Sequence, residues 1–281
     1  MQWILQDFSD THMLAETLDR LGIAYTWHKV VPFIGRLEPE AVVSDKRNVV
    51  MFGAYSLWRT AAAEGYWPGV FKLRPFVEEA AWHPYLLNGA DAWFMTVRDV
   101  PTLLAGDERD WFIRPVEDSK EEPGNVKSAA EIVDMVEKVL KLEAKEIPKG
   151  SLRHDTRLML TKPARILREW RLWAVDGTVV TYSLYKEGSR VVYRHEIDDD
   201  ALEFAQRMVD VNPGYSRAYV IDICRTEHGL RLLETNCINA AGFYAADLAK
   251  LAVAIDDMRF DPSEVVLASP PEDLFAVYEE D

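Results

Sequence analysis

Three observations predict an α/β chain. Short β-rich runs alternate with helix-periodic segments over roughly the first 95 residues. A hairpin signal at Asp176-Gly177 opens an antiparallel stretch, and a second hairpin closes around Glu227-His228-Gly229. The C-terminal part therefore has α+β character. The expected organisation is a small α/β domain over residues 1–98, a second domain over 99–260 and an acidic tail over 261–281.

In the first module, Trp3 to Gln6 is a short apolar strand and Asp10 or Thr11 caps a helix. Met13, Leu14, Thr17, Leu18 and Leu21 then recur at helical spacing up to Gly22, placed where a helix-ending glycine belongs. Ala24 to Val31 and Asn48 to Phe52 are β-rich, Ser56 to Glu64 is helical in pattern, and Val70 to Leu73 reads as a fourth strand. The second module opens on the strand Trp111-Phe112-Ile113-Arg114-Pro115, stopped by proline, and continues as the polar stretch Val116 to Val126. Ser128 and Glu131 form a capping box before a stripe of Ile132, Val136, Val139 and Leu140, a helix extending to about residue 145. Leu158 to Thr161 is a strand broken at Lys162-Pro163. Glu169 to Val175 and Val179 to Lys186 flank the first hairpin turn, and Val191 to Ile197 adds a third antiparallel strand. A helix over Asp199 to Val211 begins behind Asp198, Asp199 and Asp200, where the helix dipole favours negative charge. Tyr219 to Arg225 and Leu230 to Asn236 make the second hairpin, and a last helix runs from Phe243 to Met258. From Asp261 onward there are seven acidic residues, no basic ones and three prolines, which reads as a loosely held tail.

Composition excludes several function classes. The 281 residues are 48% hydrophobic and 11% aromatic, enough for packed cores. With 47 acidic and 32 basic side chains the formal charge is −15, which argues against broad binding to nucleic acid or an anionic membrane but leaves room for a local basic pocket. The two cysteines, Cys224 and Cys237, make neither a disulfide framework nor a zinc site. No apolar run approaches the roughly 20 residues of a membrane helix. The opening Met1 to Asp7 lacks the basic and apolar segments of a secretory signal, so a cytoplasmic protein is expected. The chain holds no G-x-G triplet and no Gly-Lys pair, so neither common glycine fingerprint for nucleotide is present.

The residues able to do chemistry lie in the second module. Asp222 interrupts the apolar run Val220-Ile221-Asp222-Ile223-Cys224, and Glu234 and Asn236 share one strand face by the two-residue period. The hairpin sets Asp222 almost opposite Glu234, within one residue of register. Two carboxylates and an amide oxygen suit a hard cation such as magnesium, which takes water and phosphate as its other ligands. Alternatively these polar groups only cap or satisfy the hairpin end. Arg171, inside Glu169-Trp170-Arg171-Leu172-Trp173, calls for an anionic partner, either Glu169 on the same face or a triphosphate. Arg114 and Lys120 flank a loop that begins at a strand end, and Lys186 closes the paired strand.

The order Phe112-Ile113-Arg114-Pro115, Asp118-Ser119-Lys120, Glu169-Trp170-Arg171, Asp222 and Glu234-Thr235-Asn236 resembles the ATP-grasp superfamily. In particular it resembles the clade named for two arginines and a lysine, found in phage and mobile-element genomes. The resemblance covers about residues 100 to 258. It implies an ATP-grasp fold of two antiparallel-sheet subdomains behind the small α/β domain, with ATP between the subdomains and magnesium beside it. By the same resemblance Leu160, Thr161 and Lys162 line the adenine, Lys120 reaches the phosphates and Arg171 holds the γ-phosphate. Arg114, Glu169 and Lys186 belong to the ATP site, Lys120 and Arg171 carry catalysis, and Asp222, Glu234 and Asn236 hold the metal. One departure is the loop Glu121-Glu122-Pro123-Gly124, whose single glycine and two acids make a poor phosphate cradle.

The implied reaction is ligase-type: a substrate carboxylate attacks the γ-phosphate to give an acylphosphate and ADP, and an amine or thiol then displaces phosphate. The other reading is a nucleotide-binding or host-interaction protein that keeps the fold without turnover. The substrate would be a small-molecule or peptide carboxylate. Its acceptor site is expected near Gly53-Ala54-Tyr55-Ser56, where backbone N–H groups and a helix start could hold a carboxylate, with Asn239 and Gly242 on the other wall. The same four residues also suit an ordinary turn and cap. Ser183-Leu184-Tyr185-Lys186 matches S-x-x-K, but it lies mid-strand and the chain lacks S-D-N and K-T-G. Cys237 faces away from Glu234 and Asn236 as a buried small residue, His154, His195 and His228 read as surface residues, and Trp58, Trp67, Trp82 and Trp93 read as core.

Overall fold

The computed structural model describes residues 1–31, 36–54, 57–89, 91–117, 124–148 and 151–260. Ser56, Lys120 and the tail over 261–281, to which the sequence attaches expectations, lie outside the described residues. By contact the chain forms two compact units, one of residues 1–74 with 166–260, the other Pro75–Arg165. The boundary expected at residues 98 and 99 falls inside the second of these.

The first unit holds two sheets. The N-terminal sheet runs β3-β2-β1-β4-β5, built from β1 (Gln2–Gln6), β2 (Tyr25–Val30), β3 (Leu37–Glu38), β4 (Val49–Phe52) and β5 (Pro68–Gly69), with α1 (Ser9–Leu21) and α2 (Leu57–Glu64) between strands. Its central pairs are parallel, as crossover helices require, and only β3 runs antiparallel. Gly22 ends α1 with a left-handed φ of 71°, its N–H returning to the Asp19 carbonyl. The strand expected at Val70 to Leu73 is instead the two-residue β5; Val70 and Phe71 bury their side chains without extending the ladder.

The second sheet is antiparallel, in the order β12-β11-β10-β13-β14. Its strands are β10 (Ile166–Val175), β11 (Thr178–Glu187), β12 (Arg190–Arg194), β13 (Ala218–Thr226) and β14 (Gly229–Asn236), flanked by α5 (Asp199–Val211) and α6 (Leu248–Asp256). Asp176 and Gly177 both take positive φ, 46° and 78°, as a tight two-residue hairpin turn demands. The last helix starts at Leu248, later than Phe243, because Asp247 caps it by accepting from the Ala249 and Lys250 N–H groups. Trp3, Leu5, Val50 and Phe52 of the first sheet share one core with Trp173, Val175, Ala218 and Val220 of the second and with Leu251 and Ile255 of α6.

The second unit carries the antiparallel sheet β6-β9-β7-β8, from β6 (Trp93–Thr96), β7 (Asp110–Pro115), β8 (Asn125–Ser128) and β9 (Arg157–Thr161). One face is covered by α3 (Val100–Leu103) and α4 (Ala129–Leu140) around Trp111, Ile113, Ile132, Val136, Leu158 and Leu160. The expected capping box forms: Ser128 Oγ accepts the Glu131 N–H while Glu131 accepts from Ser128. The helix stops at Leu140, short of residue 145, since Glu143 and Ala144 stand at the next helical positions of the apolar stripe and Leu142 falls off it, 37% exposed. Of the four tryptophans assigned to core, Trp82 is fully buried whereas Trp93 is 40% exposed.

Candidate active site

Register alone assembles the centre of the site. Arg171 of β10 stands opposite Asp222 of β13, and Asp222 stands opposite Glu234 of β14, so three charged side chains form one row across three adjacent strands. Asn236, two residues beyond Glu234, projects from the same face. Further along these strands that face carries Trp173 and Val220 into the core, so the polar row marks where the core ends.

Arg171 takes Asp222, not Glu169, as its partner. Its Nε and Nη2 donate to the two Asp222 oxygens at 2.9 and 2.7 Å. Asp222 is fully buried and Arg171 is 7% exposed. Burial raises the Asp222 carboxyl to about 6 against the lowering pull of Arg171, and neighbouring Glu234 adds to the rise. Burial works against the charge on Arg171, but Asp222 outweighs it and the guanidinium stays firmly protonated. Asn236 Nδ2 bridges the carboxylates, 3.1 Å from Glu234 Oε1 and 3.4 Å from Asp222 Oδ2.

Glu169 has other company. Tyr185 Oη donates to one of its oxygens at 2.6 Å and Lys186 Nζ reaches the other at 2.8 Å. Two consecutive strand residues ordinarily point to opposite faces. They converge here because β11 shifts register between the pairs Glu169–Lys186 and Trp170–Leu184, leaving Tyr185 as an extra residue. A second shift lies beside Asp222, between the pairs Asp222–Glu234 and Ile223–Leu232. Alternation read from sequence cannot find either irregularity, which is why Tyr185 is missing from the sequence-derived site. Tyr244 is missing too: it follows β14, and its ring lies over Arg171, 4.7 Å from the guanidinium carbon.

The metal ligands expected from sequence are thus together. Among the described residues no group of three His, Cys, Asp or Glu side chains has metal-holding geometry. The set is instead two carboxylates and an amide, oxygen donors throughout once the Asn236 amide turns its oxygen inward, and these fit magnesium, which keeps several ligand positions for water and phosphate.

The acceptor expectations fare differently. The Gly53 N–H is bonded to the Asn239 carbonyl at 2.9 Å and the Ala54 N–H to Gln6 Oε1 at 2.8 Å, so neither serves as a carboxylate cradle. A Cβ at Gly53 would come 2.5 Å from that of Gln6; glycine is here for close packing. Asn239 is a buried strut: its Nδ2 donates to the Met51 carbonyl at 2.6 Å and its Oδ1 accepts the Phe71 N–H at 2.8 Å. Cys237 is buried as expected, and burial pushes the Cys224 thiol up to about 12, far from a reactive thiolate.

Arg114, Leu160, Thr161 and Lys162 belong to the second unit. Leu160 buries its side chain in that unit's core, while Thr161 is buried on the opposite face by alternation. Lys162 is exposed and lies 3.6 Å from Asp91. Arg114 Nε donates to the Pro115 carbonyl and its guanidinium covers the Phe76 ring at 5.1 Å.

A family model for an ATP-grasp domain, the third family of the clade named for two arginines and a lysine, matches residues 39–255. No curated protein matches the chain. Among solved structures, the D-cycloserine synthetase DcsG superposes with a TM-score of 0.57 at 13% identity, over 91% of this chain and 99% of that one. The ATP-grasp ligase PsnB with a minimal precursor gives 0.55 at 14% identity, over 90% and 98%. The D-alanine–D-alanine ligase from Bacillus anthracis with ATP gives 0.54 at 11% identity, over 91% and 95%. At these identities the likeness is one of fold. Among the described residues, no helix is long and apolar enough to cross a membrane.

Proposed function

The chain belongs to the ATP-grasp domains, in the third family of the clade named for two arginines and a lysine, and from that premise we propose that it is an ATP- and magnesium-dependent ligase acting on a small-molecule or peptide carboxylate. The observation that carries this reading is the row Arg171–Asp222–Glu234 across β10, β13 and β14, with Asn236 beside it. Asp222, Glu234 and Asn236 would hold magnesium, which when bound offsets phosphate charge and leaves side chains the work of binding and orientation. Arg171 would meet the γ-phosphate while a carboxylate oxygen attacks it; ADP leaves, and an amine or thiol then displaces phosphate from the acylphosphate. Among the residues described at this site none is an activated nucleophile, in keeping with transfer directly between substrates. Lys120, Arg114, Leu160, Thr161, Lys162, Glu169 and Lys186 remain proposed ATP contacts.

Calorimetry with ATP, with and without magnesium, tests the nucleotide step. Magnesium-dependent binding is expected; no heat at millimolar ATP overturns the proposal. A second reading, nucleotide binding without turnover, draws support from one feature: Arg171 and Lys186 are each engaged by a carboxylate of the chain itself. ADP release in the presence of a panel of amino acids and peptides separates the two, since only the ligase makes ADP in step with a carboxylate substrate.

A further inference from the structure

Tyr244 has a backbone that tyrosine rarely adopts, with φ of 49° in the left-handed region. The only other non-glycine residue there among those described is Asp176, in a hairpin turn. Cβ sterics make this conformation costly for L-residues, and such outliers gather where the surrounding structure uses them. Tyr244 is a central residue of a tight turn closed by the Ala246 N–H on the Phe243 carbonyl at 3.0 Å, a position that calls for a glycine-like backbone, yet a large, packed side chain stands there. The ring packs nearly parallel to Tyr193 of β12, centres 4.8 Å apart at 13°, and tilts against Tyr185 at 5.4 Å. Its face lies over the Arg171 guanidinium at 4.7 Å, with Tyr185 at 5.8 Å. Tyr193 is 56% exposed, so the stack reaches from solvent to the buried arginine.

Arginine offers five N–H donors in a rigid plane. Nε and Nη2 are bound to Asp222, and among the described residues no acceptor lies on Nη1. A plane held by its face can keep one edge on Asp222 while the other meets an anion. We infer that Tyr244 is a positioning residue for Arg171: its ring fixes the guanidinium plane so that Nη1 is presented to the phosphate of bound nucleotide. This rests on the nucleotide reading above and deepens it.

Tyr244→Gly removes the ring while suiting the left-handed backbone, so the fold should persist. Two quantities are measured: hydrogen exchange of the Arg171 Nε–H by NMR without nucleotide, assigned with Arg171→Lys, and the affinity for magnesium with a non-hydrolysable ATP analogue. In Tyr244→Gly the Nε–H should exchange about tenfold faster and affinity should fall about tenfold, the scale of a lost cation–π contact. Tyr244→Phe, which keeps the ring, should restore both to within about twofold. Tyr193→Ala, altering only the exposed end of the stack, should move both in the same direction by less, and serves if the glycine variant fails to fold. Wild-type exchange in Tyr244→Gly, or wild-type affinity in a chain that binds nucleotide, overturns the inference. If the unmodified chain binds no nucleotide, the proposed function fails, and the exchange measurement alone decides whether Tyr244 holds Arg171.

Discussion

Arg171 and Asp222 meet across neighbouring strands in a two-point ion pair, Nε at 2.9 Å and Nη2 at 2.7 Å, with Asp222 wholly buried. The same carboxylate stands opposite Glu234 and is the proposed magnesium ligand nearest the arginine. Asp222 thus sits between a permanent cation and a second carboxylate, and its protonation and its pairing with Arg171 are coupled.

Removing the arginine should expose that coupling. Arg171→Met leaves a buried carboxylate without its cation, which typically costs about 3–5 kcal/mol. Denaturant unfolding at neutral pH should show a loss of that order, and adding Asp222→Asn to the same chain should return part of it. A double variant no more stable than Arg171→Met would mean the loss comes from packing around the guanidinium.

The raised pKa of Asp222 sets a pH dependence. A carboxyl whose folded value, about 6, exceeds its ordinary 3.8 binds its proton more tightly in the folded chain. Its contribution to stability is fully present below the unfolded value and is lost as pH rises through the folded one. The stability of the unmodified chain relative to Asp222→Asn should therefore fall by about 3 kcal/mol between about pH 4 and pH 7. Magnesium affinity should rise over the upper part of that window if Asp222 is the ligand proposed above, because only its carboxylate form binds the cation. A stability difference flat across the window shows that burial does not raise this group.

Much of this is legible in the sequence because period-two alternation and a short hairpin loop fix register to within one residue. The turn at Glu227 and His228 by itself sets Asp222 opposite Leu233, and the register shift beside Asp222 makes the partner Glu234, while the capping box at Ser128 and Glu131 follows from two residue types at a set spacing. What stays hidden depends on local departures from period. The extra residue at Tyr185 turns two neighbours onto Glu169, and the left-handed backbone of Tyr244 aims a ring that no pattern marks. Alternation sets Arg171 beside Glu169 along its own strand, but the nearer partner lies across the ladder on a strand some fifty residues away. Gly53 and Asn239 suggest an acceptor site because a strand-to-helix turn with free N–H groups is a plausible anion site; sequence does not show that those groups are already bonded.

Glu234→Gln tests the metal assignment. The amide keeps shape and one acceptor oxygen but removes a charge that magnesium requires. Magnesium-dependent ATP affinity should fall by about tenfold or more. The melting temperature without ligand should hold or rise, since Glu234 is one of the groups that raise Asp222 and their repulsion is relieved. Should the ligand-free chain melt several degrees earlier while nucleotide affinity is intact, Glu234 is a structural residue and the proposed metal site is wrong.

Asn239 separates strut from ligand. Its side chain ties the end of β4 to the segment after β5: Nδ2 donates to the Met51 carbonyl at 2.6 Å, and Oδ1 accepts from the Phe71 N–H at 2.8 Å and from Cys237 Sγ at 3.4 Å. Asn239→Ala leaves a buried carbonyl and a buried N–H without partners, each worth about 1–3 kcal/mol when unsatisfied, so a loss of about 2–5 kcal/mol is expected in denaturant unfolding. Asn239→Asp keeps an acceptor for Phe71 but removes the donor to Met51 and buries a charge, so it should not rescue. Nucleotide affinity, measured well below the melting temperature, should stay within about twofold of the unmodified chain if the residue only joins the two segments. A stability loss below about 1 kcal/mol together with weakened ligand binding would return Asn239 to the ligand site and remove the structural reading.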